Sequence, residues 1–151
     1  MDVIQREIII QANINRVFEA VTNPSHFGVW FSDGVEGDFL PGSQPVIDEG
    51  RYGKFRLAII ANEVPHYFAY RWVSGSQWIP AGFTADPLTH PNTLVEFFFE
   101  EKGDSTLVRV KESGFESLPD EYRKSNYEDN CGGWDYQLAR LVKFVQTGSP
   151  E

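Results

Sequence analysis

Cysteine is nearly absent from this chain: Cys131 is the only one in 151 residues. No intramolecular disulfide can form, and a reducing compartment is the simplest home. Basic charge is also scarce, with 13 Lys and Arg against 22 Asp and Glu and a net charge of −9. Nucleic acid and anionic membrane surfaces are bound through basic patches, so neither is expected as a partner. No apolar run approaches the roughly 18 residues of a membrane span, so no membrane insertion is expected. The opening residues Met1 to Glu7 lack the basic-then-apolar pattern of a secretory signal, and the cytoplasm is the expected location. There is no P-loop, GxGxxG, CxxC, HExxH or GxSxG pattern. The three histidines, His26, His66 and His90, lie in separate turn or loop regions without metal-ligand spacing. No metal and no cofactor are expected.

Aromatic residues are abundant by contrast, at 15%, with 12 Phe, 6 Tyr and 4 Trp. They fill a core or line a pocket, and both readings stay open at the level of sequence. The pattern along the chain is strand, two helices, a run of strands, then a helix. Ile4, Ile8, Ile9 and Ile10 mark a first β-branched strand. Ile14, Val17, Phe18 and Val21 have the i, i+3, i+4, i+7 spacing of an amphipathic helix. Asn13 suits its N-cap and Asn23-Pro24 its end, and a second helical turn is expected from Ser25 to Phe31.

From about residue 33, glycines punctuate short extended pieces. Phe55, Leu57 and Ile59 alternate with Lys54, Arg56 and Ala58, and Phe68, Tyr70 and Trp72 repeat the pattern. Residues 74 to 91 have no period and carry three prolines. Trp78, Ile79 and Phe83 predict that this loop folds back onto the body. Strands are predicted over residues 93–101 and 105–113, joined at Gly103-Asp104. A long helical pattern follows, carrying Trp134, Leu138, Leu141, Val142 and Val145. Strands grouped between helices indicate an α+β fold in one domain over 1–151.

Several segments together resemble a known family. They are the helix from Ala12 to Pro24, the nearby Trp30-Phe31, the strand end Glu112-Ser113-Gly114-Phe115, and the late run from Gly133 to Leu141. In order and spacing they are similar to the Aha-type family, single-domain relatives of the C-terminal domain of the activator of the 90-kDa heat-shock-protein ATPase. That family sits in the START-like, birch-pollen-allergen-like (SRPBCC) superfamily. The resemblance implies a helix-grip fold, a curved antiparallel sheet around a long C-terminal helix with an internal cavity. The loop at 74–91 is longer than the family pattern, which places the difference at the cavity mouth. A hydrophobic small molecule is the implied partner, with a chaperone protein as the alternative and a cyclase- or hydrolase-type enzyme as a third reading.

Trp30, Phe55, Phe68, Tyr70, Trp72, Phe97, Phe99 and Trp134 are the expected cavity-lining set. Glu112 shares its strand face with Val108 and Val110, so its carboxylate is expected to point inward and to need a partner. Arg6 has the parity of Ile4, Ile8 and Ile10. Because the helix-grip fold makes the first and last strands neighbours, it allows an Arg6–Glu112 pair, as a salt bridge or as a polar anchor for a ligand, with a carboxylate turned out at a frayed strand end as the alternative. Cys131, one turn before Trp134, is expected to pack as a small hydrophobe over the cavity. Glu112 with Tyr70 is the only acid-base candidate, and no complete catalytic constellation accompanies it. Gly132-Gly133 within the helix predicts a close approach to the sheet or a kink.

Overall fold

A computed structural model describes residues 3–74 and 83–151. The first strand, β1, spans Val3–Ile10, and two short helices follow, α1 (Ile14–Thr22) and α2 (Pro24–Trp30). Five strands come next: β2 (Gly34–Glu36), β3 (Val46–Asp48), β4 (Lys54–Glu63), β5 (Tyr67–Trp72) and β6 (Thr93–Lys102). The chain closes with β7 (Ser105–Ser113) and α3 (Asp120–Thr147). All strand pairings are antiparallel, in the order β1-β7-β6-β5-β4-β3-β2. This is the expected helix-grip architecture, with α3 lying along the concave face of a curved sheet.

Local chemistry sets the element ends. The Asn13 side chain accepts a hydrogen bond from the Arg16 amide and starts α1. Asn23 serves twice: its amide closes α1 on the Glu19 carbonyl, and its side chain accepts from the Ser25 amide to open α2. Pro24 then occupies the first turn of α2, where a missing N–H costs nothing. Ile14, Val17, Phe18 and Val21 are buried, as their spacing predicts. Gly114, at φ +97°, turns the chain from β7 toward α3.

The core forms where α1, α2 and α3 meet the sheet. Phe18 meets Phe99 edge-on, with ring centroids 5.0 Å apart. Phe27 packs on Trp30, Phe31 and Phe39. From α3, Trp134, Leu138, Leu141 and Val145 present a buried stripe. Gly132 and Gly133 lie on the exposed side of α3, and a Cβ at either would meet nothing within 4 Å. The expected close approach at these glycines is therefore absent: one to two residues from Trp134, the helical rotation turns them away from the sheet.

The second half of the 74–91 loop does fold back. Arg56 donates to the Thr84 carbonyl, Gln44 donates to Asp86, and Phe83 packs edge-on against His90. Trp78 and Ile79 lie outside the described residues.

Candidate functional site

Glu112 is fully buried near the end of β7, opposite Ile4 on β1 and Val95 on β6. Four neutral side chains donate to its carboxylate. Trp134 Nε1 reaches Oε1 at 2.9 Å, while Trp72 Nε1 at 2.9 Å and Thr93 Oγ1 at 2.6 Å reach Oε2. Asn130 Nδ2 lies 3.1 Å from both oxygens. Two carboxylate oxygens accept about four hydrogen bonds, so this set fills the acceptor capacity of Glu112. A buried carboxylate without such donors would be costly to keep. The four donors come from β5, β6 and α3, so Glu112 ties the helix to the middle of the sheet.

The Arg6–Glu112 pair that the fold allows does not form. Arg6 stands opposite Val110, two positions from the Glu112 pairing, and its Nε donates to Asp135 on α3 at 2.7 Å. Both partners of that pair are partly exposed. The physical reason is desolvation: a guanidinium carried to Glu112 would leave water for a carboxylate that neutral donors already satisfy. Cys131 lies beside the Arg6 guanidinium, partly buried against the core edge.

The eight aromatic residues divide into two groups. Trp30 is wholly buried among the helices, with its indole N–H donating to the Ala20 carbonyl. Phe99 sits under α1 against Phe18, and Phe68 stacks on Phe39. Phe97 bridges to the second group through Trp134. That group consists of Phe55, Tyr70, Trp72 and Trp134, joined by Phe31. Phe55 and Trp72 are only partly buried, so this end of the interior reaches the surface.

Tyr70 is wholly buried, and its hydroxyl has no hydrogen-bond partner among the described residues. Burial raises its pKa well above the ordinary phenol range, and the Glu112 and Glu49 carboxylates add to the effect. Glu49 was not singled out from the sequence. It follows β3, two residues beyond the buried Ile47 that pairs with Phe55, and so shares the inward parity of that residue. Its carboxyl is half-buried, makes no hydrogen bond or ion pair among the described residues, and titrates at about 7. Desolvation is the largest cause, followed by the neighbouring Asp33 and Asp48 carboxylates, while Arg140 opposes them.

Two further residues of the site escaped the sequence reading. Asn130 and Asn126 stand four and eight positions before Trp134, on the same helix face. Asn126 is wholly buried, and neither side-chain amide atom has a partner among the described residues. Polar residues continuing an apolar stripe are the signal that would have found them. Two open depressions lie at the surface. One is on the outer sheet face around Phe98, Arg109 and Lys111, with Arg6 at its edge, and the other lies beside α2 with Asp33 on its wall.

Comparison with solved structures supports the same architecture. DynU16, from the dynemicin biosynthetic locus, superposes with a TM-score of 0.76 at 20% identity. The match covers 99% of this chain but 49% of that one, so the chain spans about half the length of DynU16. The Aha1 dimer structure from Colwellia psychrerythraea matches with a TM-score of 0.71 at 18% identity, over 98% of both chains. Protein MLL2253 from Mesorhizobium loti gives 0.73 at 18% identity, over 95% of this chain and 96% of that one. At these identities the likeness is one of fold. No curated protein matches the sequence. The family model described as activator of Hsp90 ATPase homolog 1-like protein matches residues 11–146, and the chain belongs to that family.

Proposed function

We propose that the protein binds a small molecule with an apolar or aromatic body beneath α3, against the partly buried rings of Phe55 and Trp72 and toward Tyr70. The observation behind this reading is the Tyr70 hydroxyl, which is wholly buried and, among the described residues, unpartnered at the end of an aromatic interior. A buried hydroxyl left without a partner costs about 1–3 kcal/mol, and a bound molecule would supply the missing partner. The partly buried rings of Phe55 and Trp72 suit the wall of such a site. Glu112 acts in this reading by holding Trp72 and Trp134 in position, because its own acceptor capacity is filled.

The test is thermal unfolding of the purified protein against a panel of aromatic compounds that spans neutral, cationic and anionic members. A compound present at a hundredfold excess over its Kd should add about 2.7 kcal/mol of stability. For a domain of this size that is roughly 5–10 °C in Tm. The Phe55→Ala variant should lose most of the gain. The second reading is a chaperone-binding module, favoured by the family match and by Phe98, 37% exposed on the outer sheet face. No stabilisation by any compound, combined with a changed ATPase rate of a heat-shock ATPase, would replace the first reading with the second.

A further inference from the structure

The inward stripe of α3 is apolar from Trp134 to Val145 and polar before it. Asn126 and Asn130 precede Trp134 on the same face, each about one turn from the next. Asn130 is committed, with Nδ2 3.1 Å from both Glu112 oxygens. Asn126 is wholly buried, and neither its Nδ2 nor its Oδ1 meets a partner among the described residues. Protein interiors rarely leave one buried polar atom unmet, and here a single amide leaves two.

Contacts on Glu112 tie this amide to the aromatic end of the interior. Trp72 Nε1 and Asn130 Nδ2 converge on one oxygen, Glu112 Oε2, at 2.9 and 3.1 Å. Tyr70, Val95 and Glu112 form one row across the sheet, and Trp72 pairs with Thr93 two positions further along, toward the Val3 end. The helix α3 starts at that same end: the Tyr127 hydroxyl donates to the Val3 carbonyl, while Gln146 accepts from the Gln11 amide at the other. Asn126, about 6 Å before Asn130 along the helix axis, is therefore displaced from Glu112 in the direction of Trp72 and Thr93. The Trp72 ring is partly buried and lies 5.7 Å from Phe55 and 5.5 Å from Tyr70. The Thr93 hydroxyl is spent on Glu112 and the Ser125 hydroxyl on the Tyr122 carbonyl, so neither serves Asn126.

We infer that the ligand carries a neutral amide edge, a primary carboxamide or a lactam, which pairs with the Asn126 side chain while its apolar body lies against Trp72. The inference rests on the proposed small-molecule function and specifies its ligand class. An amide edge sets an N–H beside a C=O, as asparagine does, so the two groups exchange two hydrogen bonds. A ketone answers only Nδ2, and an ammonium answers only Oδ1. A carboxylate also answers only Nδ2, and it brings a second negative charge toward Glu112.

Three probes of nearly equal shape test this by calorimetric titration of the full chain at neutral pH: 2-naphthamide, 2-acetonaphthone and 2-naphthoate. The amide is expected to bind at least about tenfold tighter than the ketone, the worth of a hydrogen bond made against one left unmade. The naphthoate should bind weakest, from the charge on Glu112. In Asn126→Leu the amide should lose its advantage over the ketone. That variant, when empty, should melt no lower than the unsubstituted protein, since leucine fills a similar space without unmet groups. A Tm several degrees lower would show that the fold itself uses the amide, and the inference would be overturned. The unsubstituted protein gives a second measurement: the Asn126 side-chain NH2 resonances should shift on addition of 2-naphthamide, and unmoved resonances at saturation overturn the inference. If the ketone or the naphthoate binds as tightly as the amide, the amide inference falls and the small-molecule reading stands. The same holds if none of the three binds but another aromatic compound stabilises the protein; if no compound does, both fall.

Discussion

Two glutamates face the interior of this domain and could hardly be treated more differently. Glu112 is wholly buried and receives hydrogen bonds from Trp72, Thr93, Asn130 and Trp134. Glu49 is half-buried and receives none among the described residues, while Asp33 and Asp48 repel it. A saturated carboxylate is a fastener, because its interactions are complete before any ligand arrives. An unsatisfied one stores a cost that a partner can remove. The contrast gives Glu112 a place in the architecture and leaves Glu49 as the acid with interactions still to make, although Glu112 is the deeper and more conspicuous of the two.

The largest expected effect tests the fastener. Glu112→Gln replaces one acceptor oxygen with an NH2 group that must face indole, hydroxyl and amide donors. Buried donors left without acceptors cost about 1–3 kcal/mol each, so a loss of about 3 kcal/mol is expected after partial rearrangement. Urea unfolding followed by tryptophan fluorescence measures it directly. A loss below about 1 kcal/mol would mean that the donors find other partners, and Glu112 would no longer be the tie between α3 and the sheet.

The second prediction concerns Glu49 and has a definite sign. Its folded pKa of about 7 lies above the ordinary glutamate value of 4.5, so the folded state holds the proton where the unfolded state has released it. Stability from this group is therefore fully present below pH 4.5 and is lost as pH rises through about 7. Glu49→Gln should flatten this part of the stability–pH profile and be relatively stabilising at pH 8. An unchanged profile would show that Glu49 is solvated in the folded protein, and the contrast with Glu112 would weaken. The opposite slope, stability rising with pH through 7, would require a cationic partner for Glu49.

Most of the fold was legible because long elements repeat their pattern. Four positions of α1 and the alternation along β6 and β7 each carry several independent votes for one burial face. The inward course of Glu112 followed from parity with Val108 and Val110 for the same reason. Its partners did not follow, since they come from three elements far apart in the chain and are joined only by the tertiary fold. Arg6 shows the limit of parity. The strand face was right, but a long side chain on an edge strand can reach solvent, and it chose Asp135. Glu49 was hidden because β3 has three residues and a 3₁₀ turn of three follows, too short to show a period. Asn126 and Asn130 lay in plain view on the Trp134 face, but polar residues there were not counted as part of the stripe.

The smallest expected effect is the sharpest test of what lies between the two acids. Tyr70→Phe removes a single oxygen that has no partner among the described residues. If that oxygen is unsatisfied, its removal should cost nothing in the ligand-free protein and should stabilise it by up to about 1 kcal/mol. A well-hydrogen-bonded tyrosine would instead lose about 1 kcal/mol on the same change. The two outcomes have opposite signs, so differential scanning calorimetry separates them even though both are small. Ligand binding should move the other way, because the proposed small molecule loses its hydrogen-bond partner when the hydroxyl is gone. A variant that is more stable when empty and gains less from its ligand is what a recognition group predicts. A group that serves the fold alone cannot give that combination, since removing it would weaken both states together.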